Sequence, residues 1–186
     1  MNKSYLLSWF TLVSAILAGL FYYLGYNFLA FSSLFMITTY YLFLRNGLIK
    51  KSKQEIFFQD ITSLYAEVFI LFGILFSSYT HTYSTHFALF GILLTNHIRI
   101  QYNASLIEIK GYKKIVVKKR EYLGILPRSN RLIILIFLPL LQYFFSLRGI
   151  SVYGLSLTDG FMILFALLTN LTAIQRFINA YIQLGR

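Results

Sequence analysis

The chain has no cysteine, two prolines and only six acidic residues among its 186 residues. Without cysteine it can form no disulfide, no catalytic thiolate and no cysteine-ligated metal site. Charged residues make up 12% of the chain, whereas a soluble domain has about 25%. A soluble globule of this size would lack the polar side chains needed to cover its surface. The composition therefore excludes an ordinary soluble enzyme, a disordered chain and a free nucleic-acid binder.

Long runs without a charged residue are the main feature of the sequence. They cover 4–44, 68–98, 132–147 and 160–175, with 41, 31, 16 and 16 residues. A membrane-spanning helix needs roughly 20 mostly apolar residues, so the first run is long enough for two helices. Gly and Asn tolerate positive φ, so the segment 25–27 is the predicted turn between them. A polar segment, 77–86, interrupts the second run and predicts a loop between two spans.

These patterns predict an all-α integral membrane protein with six transmembrane helices in a single domain, 1–186. Asp159, at the start of the last helix, is interpreted as a helix-start residue. The six predicted helices are 5–23, 28–45, 56–77, 86–104, 130–148 and 156–181.

The basic residues predict the orientation of these helices. With six spans, sixteen of the 17 Lys and Arg residues fall on one side of the membrane, and only Arg148 falls on the other. Basic residues are enriched in cytoplasmic loops. We therefore expect a multi-pass protein of the cell membrane with both termini in the cytoplasm.

The basic residues also suggest ligands. The lysines at 110–119 are interpreted as topology signals that attract anionic lipid headgroups, at about 1 kcal/mol each. Nucleic acid is not an expected partner, because the aromatic residues lie in the spans and not among the lysines. Arg99, Arg131 and Arg176 fall at or inside the ends of spans, where a charge is costly and usually faces a polar interior. Their guanidinium groups could converge on a phosphate, or each could extend to the membrane surface instead.

Three stretches resemble helices of the CDP-alcohol phosphatidyltransferase family. The first, 124–135, has a Gly and two apolar residues before an Arg-x-x-Arg pair, as at the start of that family's fifth helix. The second, 96–102, carries an Arg as at the end of the fourth helix, and the third, 171–176, has the Thr-x-x-Gln-Arg pattern of the sixth. Thr11 matches a Thr early in the family's first helix, but Ser8 replaces its Asn.

The resemblance implies a six-helix bundle of the CDP-alcohol phosphatidyltransferase type. It also implies that both termini face the cytoplasm, that the protein acts in phospholipid biosynthesis and that it tends to form dimers. Together with the charge argument, it makes four arginines the candidate phosphate-binding residues: Arg45, Arg99, Arg131 and Arg176.

The family's catalytic signature is almost completely absent. It reads Asp-x2-Asp-Gly-x2-Ala-Arg-x8–9-Gly-x3-Asp-x3-Asp, and its aspartates hold divalent cations on the CDP-lipid diphosphate while the last one deprotonates the alcohol. With Arg45 aligned to the signature Arg, no register restores more than one aspartate. In the register with a nine-residue spacer, the four aspartate positions hold Ile37, Tyr40, Gln59 and Ser63.

Other carboxylates could replace the missing ones only in part. Glu55 and Glu67 lie on an i, i+4 stripe of the third helix with Gln59 and Ser63, and Asp60 lies on an adjacent face. Glu55, Asp60 and Glu67 are therefore weak candidates for a rebuilt metal site, and Asp60 and Glu67 for a catalytic base. The second helix has no carboxylate, so a clamp between two helices cannot form. No cofactor is expected, and Mg²⁺ or Mn²⁺ only if such a rebuilt site works.

Three functional hypotheses follow. The first is a non-catalytic relative that binds a lipid or a phosphate, or that forms a dimer with itself or with an active homologue. The second is an active phosphotransferase that moves a phosphatidyl-type group from a CDP-lipid to an alcohol through a rebuilt site. The third is a small transporter or membrane scaffold. The third would be favoured by spans with paired Gly or Pro interruptions, which the sequence lacks.

Overall fold

A computed structural model describes residues 3–45, 53–78, 82–110, 125–126, 128–148 and 156–184. The described part is helical, with one helix at each position predicted from the sequence and no strand. The helices are α1 (Lys3–Tyr23), α2 (Asn27–Arg45), α3 (Lys53–Leu75), α4 (Thr82–Lys110), α5 (Arg128–Leu147) and α6 (Leu157–Leu184).

The fourth helix is longer than predicted. It begins at Thr82, inside the polar segment that predicted a loop, and ends at Lys110 instead of residue 104. The prediction was wrong there because polarity limits how much of a segment can be buried, not whether its backbone can be helical. With 29 residues, α4 is about 43 Å long, which exceeds the roughly 30 Å thickness of the hydrocarbon layer.

Three helices are long and apolar enough to cross a membrane: Phe57–Leu75, Asn130–Leu147 and Leu157–Leu184. Within the described residues, Ser8–Tyr23 and Asn27–Met36 are shorter apolar helices. The protein is thus all-helical, with three helices compatible with membrane insertion, and the number of six spans remains a prediction.

The turn between α1 and α2 is the predicted one. Gly25 has φ of 80°, and its N–H donates to the carbonyl of Tyr22 at 3.1 Å. The N–H of Tyr26 donates to the carbonyl of Phe21 at 2.8 Å. This pair of bonds is a Schellman motif, whose left-handed residue is usually Gly because a side chain is strained there. The motif ends α1 and allows α2 to begin at Asn27.

The contacts between residues divide the chain into two units. The first unit contains Met1–Thr82 and Leu132–Gly160, and the second contains Tyr83–Arg131 and Phe161–Arg186. Each unit is described by itself below.

In the first unit, α1 packs along α3 through two glycines. A Cβ on Gly19 would lie 2.5 Å from the carbonyl oxygen of Phe69, and a Cβ on Gly73 would overlap the backbone of Gly19. Nearer the N-terminus, the rings of Tyr5 and Phe58 have centroids 5.3 Å apart. Contacts therefore advance in the same direction along both helices, which makes them parallel. Small residues permit such close backbone approach in helix pairs of membrane proteins.

A proline in α5 is matched by a tyrosine in α1. Pro139 has no N–H, so the carbonyl of Leu135, four residues earlier, loses its usual helix donor. The hydroxyl of Tyr22 donates to that carbonyl at 3.3 Å, and both side chains are buried. A neighbouring helix thus supplies the hydrogen bond that the proline removes, as expected for proline in an apolar environment.

Replacing Tyr22 by Phe should lower the free energy of unfolding by about 1 kcal/mol, because one buried hydrogen bond is lost. In a Pro139→Ala background, the carbonyl of Leu135 regains a helix donor, so the same change should cost less. A double-mutant cycle in detergent micelles, followed by thermal unfolding, measures this difference. If Tyr22→Phe lowers the free energy of unfolding equally in the native and in the Pro139→Ala background, Tyr22 does not compensate for the proline.

The start of α6 confirms the interpretation of Asp159. Ser156 precedes the helix, and its hydroxyl accepts from the N–H of Asp159 at 3.1 Å while donating to that carboxylate at 3.2 Å. The amide oxygen of Gln142 in α5 accepts from the N–H of Thr158 at 3.2 Å and from its hydroxyl at 2.7 Å. These bonds satisfy N–H groups that have no partner within the helix.

In the second unit, α4 and α6 are parallel and closely packed. A Cβ on Gly91 would lie 2.6 Å from Oγ1 of Thr169 and 2.9 Å from the backbone nitrogen of Asn170. Further along, the hydroxyl of Tyr102 donates to the side-chain oxygen of Gln183. Because Gly91 meets residues 169–170 and Tyr102 meets residue 183, both chains run in the same direction.

Candidate phosphate site

Three of the four candidate arginines belong to the second unit. Arg99 lies on α4 and Arg176 on α6, and both are half-buried. Arg131 lies in the first turn of α5 and is 1% exposed. Each of the three interacts with other groups in the described part of the chain. Arg131 is thus buried and the other two are half-buried, and the convergence of the three on one phosphate stays a prediction.

Arg99 and Arg176 lie on the same side of the α4–α6 pair. On α4, the residues that meet α6 include Thr95 and Tyr102, and Arg99 is one turn beyond Thr95. On α6, the residues that meet α4 include Thr169 and Gln183, and Arg176 is two turns beyond Thr169. Each residue of a helix is rotated by about 100° from the one before it. Arg99 therefore lies on one flank of the α4 residues that face α6, and Arg176 lies on the adjoining flank of the α6 residues that face α4.

The two arginines also lie at a similar height along the pair. Interpolation between the contacts of Gly91 with Asn170 and of Tyr102 with Gln183 places Arg99 level with residue 179 of α6. Arg176 is then only about one helical turn, roughly 5 Å, from that level.

The segment that precedes α5 is attached to the same flank of α6. The N–H of Leu126 donates to Oγ1 of Thr172 at 3.1 Å, and the N–H of Ile125 donates to Oε1 of Gln175 at 3.0 Å. Thr172 and Gln175 lie four and one residues before Arg176 in α6. Leu126 and Thr172 are buried, whereas Ile125 is exposed.

This attachment limits how far Arg131 can lie from Arg176. Arg131 follows Leu126 by five residues, at most roughly 12 Å along the chain, and the last four of these residues form the first turn of α5. Its Nε and Nη1 atoms find no hydrogen-bond acceptor in the described part of the chain, although the residue interacts there in other ways. The N-terminal end of α5, where Arg131 lies, also carries partial positive charge.

The charge of the second unit is strongly positive. It contains eleven of the 17 basic residues but only two of the six acidic ones, Glu108 and Glu121. The sequence places no acidic residue in α4 before Glu108 and none in α6 after Asp159. A mobile anion with several oxygen atoms is the kind of ligand that this arrangement attracts, because Arg presents a fork of donors to phosphate oxygens.

The candidate carboxylates belong to the first unit, on α3. Glu55, in the first turn, is 3% exposed, and Glu67 is 0% exposed. Twelve residues of helix separate them by about 18 Å and 120°, because each four-residue step advances by 400°. One ion therefore cannot bind both. Residues spaced by four do not stay on one face of a helix, because each step rotates the position by about 40°. Glu55 therefore lies on the side of α3 that faces α1, near Phe58, and Glu67 lies on another side.

For two candidate residues the structure describes the backbone alone. Arg45 is the last residue of α2 and Asp60 lies in α3, and the side chains of both fall outside the described residues. Among the described residues, no three His, Asp or Glu side chains come together as metal ligands. The predictions on Mg²⁺, on Mn²⁺ and on the absence of a cofactor stay predictions.

Sequence reasoning missed the structural part of Thr172 and Gln175. In the sequence, both are recognised only as members of the Thr-x-x-Gln-Arg pattern. The backbone N–H groups from which they accept hydrogen bonds lie 46 and 50 residues away in the chain. The sequence carries no distinct signal for them, because α6 has other polar residues as well, among them Thr169, Asn170 and Asn179.

Comparison of the chain with models of known families, with curated proteins and with solved structures finds no match.

Proposed function

We propose that this protein is a membrane protein that binds a phosphate-bearing lipid headgroup without turning it over. In this proposal it is a non-catalytic relative of the CDP-alcohol phosphatidyltransferases, with six spans and the bundle of that family. It acts alone, as a homodimer, or as the partner of an active homologue in phospholipid synthesis.

One observation carries the proposal. Arg99 and Arg176 lie on adjoining flanks of two parallel helices, and Arg131 begins a helix whose preceding segment is attached beside Arg176. In a unit with eleven basic and two acidic residues, an anion that accepts hydrogen bonds from several guanidinium groups would balance part of the excess positive charge. A phosphate monoester or diphosphate at the membrane surface would do so, and its lipid tails would contact the surrounding apolar side chains.

The sequence supports binding without catalysis. Transfer from a CDP-lipid requires neutralisation of a diphosphate leaving group and removal of a proton from an alcohol. Ile37, Tyr40, Gln59 and Ser63 supply neither a carboxylate cage for metal ions nor a base. The arginines need only positive charge to bind the same phosphates.

A second candidate function rests on Glu67. A carboxylate that is 0% exposed in a segment apolar enough to span a membrane is costly and is usually functional. With Asp60 seven residues away on the same helix, about 10 Å along its axis, it could contribute to a rebuilt phosphotransferase site. This alternative predicts turnover that depends on Glu67.

The proposed topology predicts that 79–81, between α3 and α4, faces the outside of the cell. The native chain has no cysteine, so a single Thr80→Cys variant offers one unambiguous target. A membrane-impermeant maleimide should label this variant in intact cells, whereas Ser52→Cys, between α2 and α3, should be labelled only after lysis. The opposite pattern would contradict six spans with both termini inside.

The catalytic part of the proposal is tested with purified protein in lipid nanodiscs. CDP-diacylglycerol labelled in its phosphates is added with Mg²⁺ or Mn²⁺ and with glycerol phosphate, inositol phosphate or serine. We expect saturable binding of the labelled lipid and no release of CMP above a protein-free blank. Metal-dependent CMP release that disappears in Glu67→Gln or Asp60→Asn would show that a rebuilt site works, and the proposal would be wrong.

A further inference from the structure

We infer that Thr172 and Gln175 are positioning residues of the phosphate site, which act by holding the start of α5 against α6. The inference rests on the proposed phosphate binding and deepens it. It assigns a part in ligand binding to two residues that need not contact the ligand.

The hydroxyl group of Thr172 takes part in two hydrogen bonds. Its hydroxyl donates to the carbonyl of Leu168 at 2.7 Å and accepts from the N–H of Leu126 at 3.1 Å. The threonine is 0% exposed, so no water competes for either bond. The hydroxyl is thus oriented by its own helix, and its remaining lone pair is directed to an N–H group of another segment.

Two adjacent residues before α5 are bound to two successive turns of α6. Ile125 and Leu126 are neighbours in the chain, and Gln175 lies three residues after Thr172, on the next turn of α6. Two successive N–H groups are therefore held by two successive turns of one helix, at 3.0 and 3.1 Å. Such a two-point attachment fixes the direction of the segment as well as its distance from α6.

This attachment lies close in the chain to both Arg131 and Arg176. Arg176 follows Gln175 directly, and Arg131 lies five residues after Leu126, in the first turn of α5. Fixing the segment before α5 therefore fixes the distance between these two guanidinium groups. A ligand that must contact both pays less conformational entropy when that distance is set in advance.

The test compares variants of matched shape. Thr172→Val keeps the volume and removes the acceptor, whereas Thr172→Ser keeps the acceptor. Thr62→Val is the control, because Thr62 is buried in α3 of the first unit and its hydroxyl donates to the carbonyl of Phe58 in its own helix. The probe is dioctanoyl phosphatidic acid, titrated into purified protein in micelles, with inorganic phosphate as a competitor to separate a lipid headgroup from free phosphate.

We expect Thr172→Val to weaken binding about fivefold, as for loss of one hydrogen bond, and Thr172→Ser to restore it. Gln175→Met should act in the same direction, and Thr62→Val should leave affinity unchanged. Amide hydrogen exchange at Leu126 should accelerate in Thr172→Val even without ligand, which reports the attachment independently of binding.

The outcomes separate this inference from the function on which it rests. Wild-type protein that binds no phosphatidic acid would overturn the proposed function, while faster exchange at Leu126 would still show the attachment. If the wild type binds and Thr172→Val exchanges faster at Leu126 with unchanged affinity, the positioning role is wrong and the phosphate site stands. Equal loss of affinity in Thr172→Val and Thr62→Val would likewise overturn it, because the effect would then be general destabilisation.

Discussion

Replacing Arg99 and Arg176 together by glutamine should weaken binding of dioctanoyl phosphatidic acid about 100-fold. A hydrogen bond to a charged group contributes about 1.5–3 kcal/mol, and 1.4 kcal/mol is a factor of ten in affinity. Arg99 and Arg176 lie on adjoining flanks of α4 and α6, and in the proposed function one phosphate contacts both. Isothermal titration calorimetry with purified protein in micelles measures the change.

The matched control is Arg148→Gln, which removes an equal charge from an exposed position after the last turn of α5. It should leave the affinity for phosphatidic acid unchanged. Dioctanoyl phosphatidylcholine, a second control, should bind weakly to the wild type and to every variant. Equal losses in Arg148→Gln and in the double variant would mean that only general surface charge attracts the lipid.

Replacing Gly73 by alanine should lower the free energy of unfolding by about 3 kcal/mol. The added Cβ would overlap the backbone oxygen and Cα of Gly19, and two helix backbones cannot give way as the end of a flexible side chain can. The pair α1–α3 must separate to accept the methyl group, and overpacking of this kind costs about 1–3 kcal/mol or more. Thermal unfolding in detergent, with retention of helicity as a second readout, measures the loss.

The chain offers a close control in Gly160. It lies in the first turn of α6, and a Cβ added there meets no atom within 4 Å. Gly160→Ala should therefore be neutral or stabilising by up to about 1 kcal/mol, because alanine favours helix. A Gly73→Ala variant as stable as Gly160→Ala would contradict the close approach of α1 and α3.

Helix positions could be predicted from this sequence because charge-free runs and turn residues mark them directly. Gly25 and Asp159 are examples: the first adopts the positive φ that the turn requires, and the second lies in the cap of α6. The ends of α4 could not be predicted, since Thr82 and Lys110 lie in polar stretches where neither hydrophobicity nor proline sets a limit.

The arrangement of the site was only partly predictable. Partial burial of Arg99 and Arg176 follows from their places near the ends of apolar runs, a property of the local sequence. Their common side of the α4–α6 pair follows from the direction and rotation of two helices, which depend on the contacts of Gly91 and Tyr102. The attachment of Leu126 could not be predicted either, because a hydrogen bond over 46 residues leaves no periodic signal.

The most direct test of the account is a distance between nitrogen and phosphorus. Protein labelled with ¹⁵N in its arginine side chains is saturated with phosphatidic acid in lipid nanodiscs, and ¹⁵N–³¹P dipolar dephasing is measured by solid-state NMR. The account predicts dephasing that corresponds to about 4 Å, as in a charged hydrogen bond between guanidinium and phosphate, and its loss in a variant with Arg99, Arg131 and Arg176 all replaced by glutamine. Bound lipid with no arginine dephasing, or dephasing that persists in that variant, would contradict it.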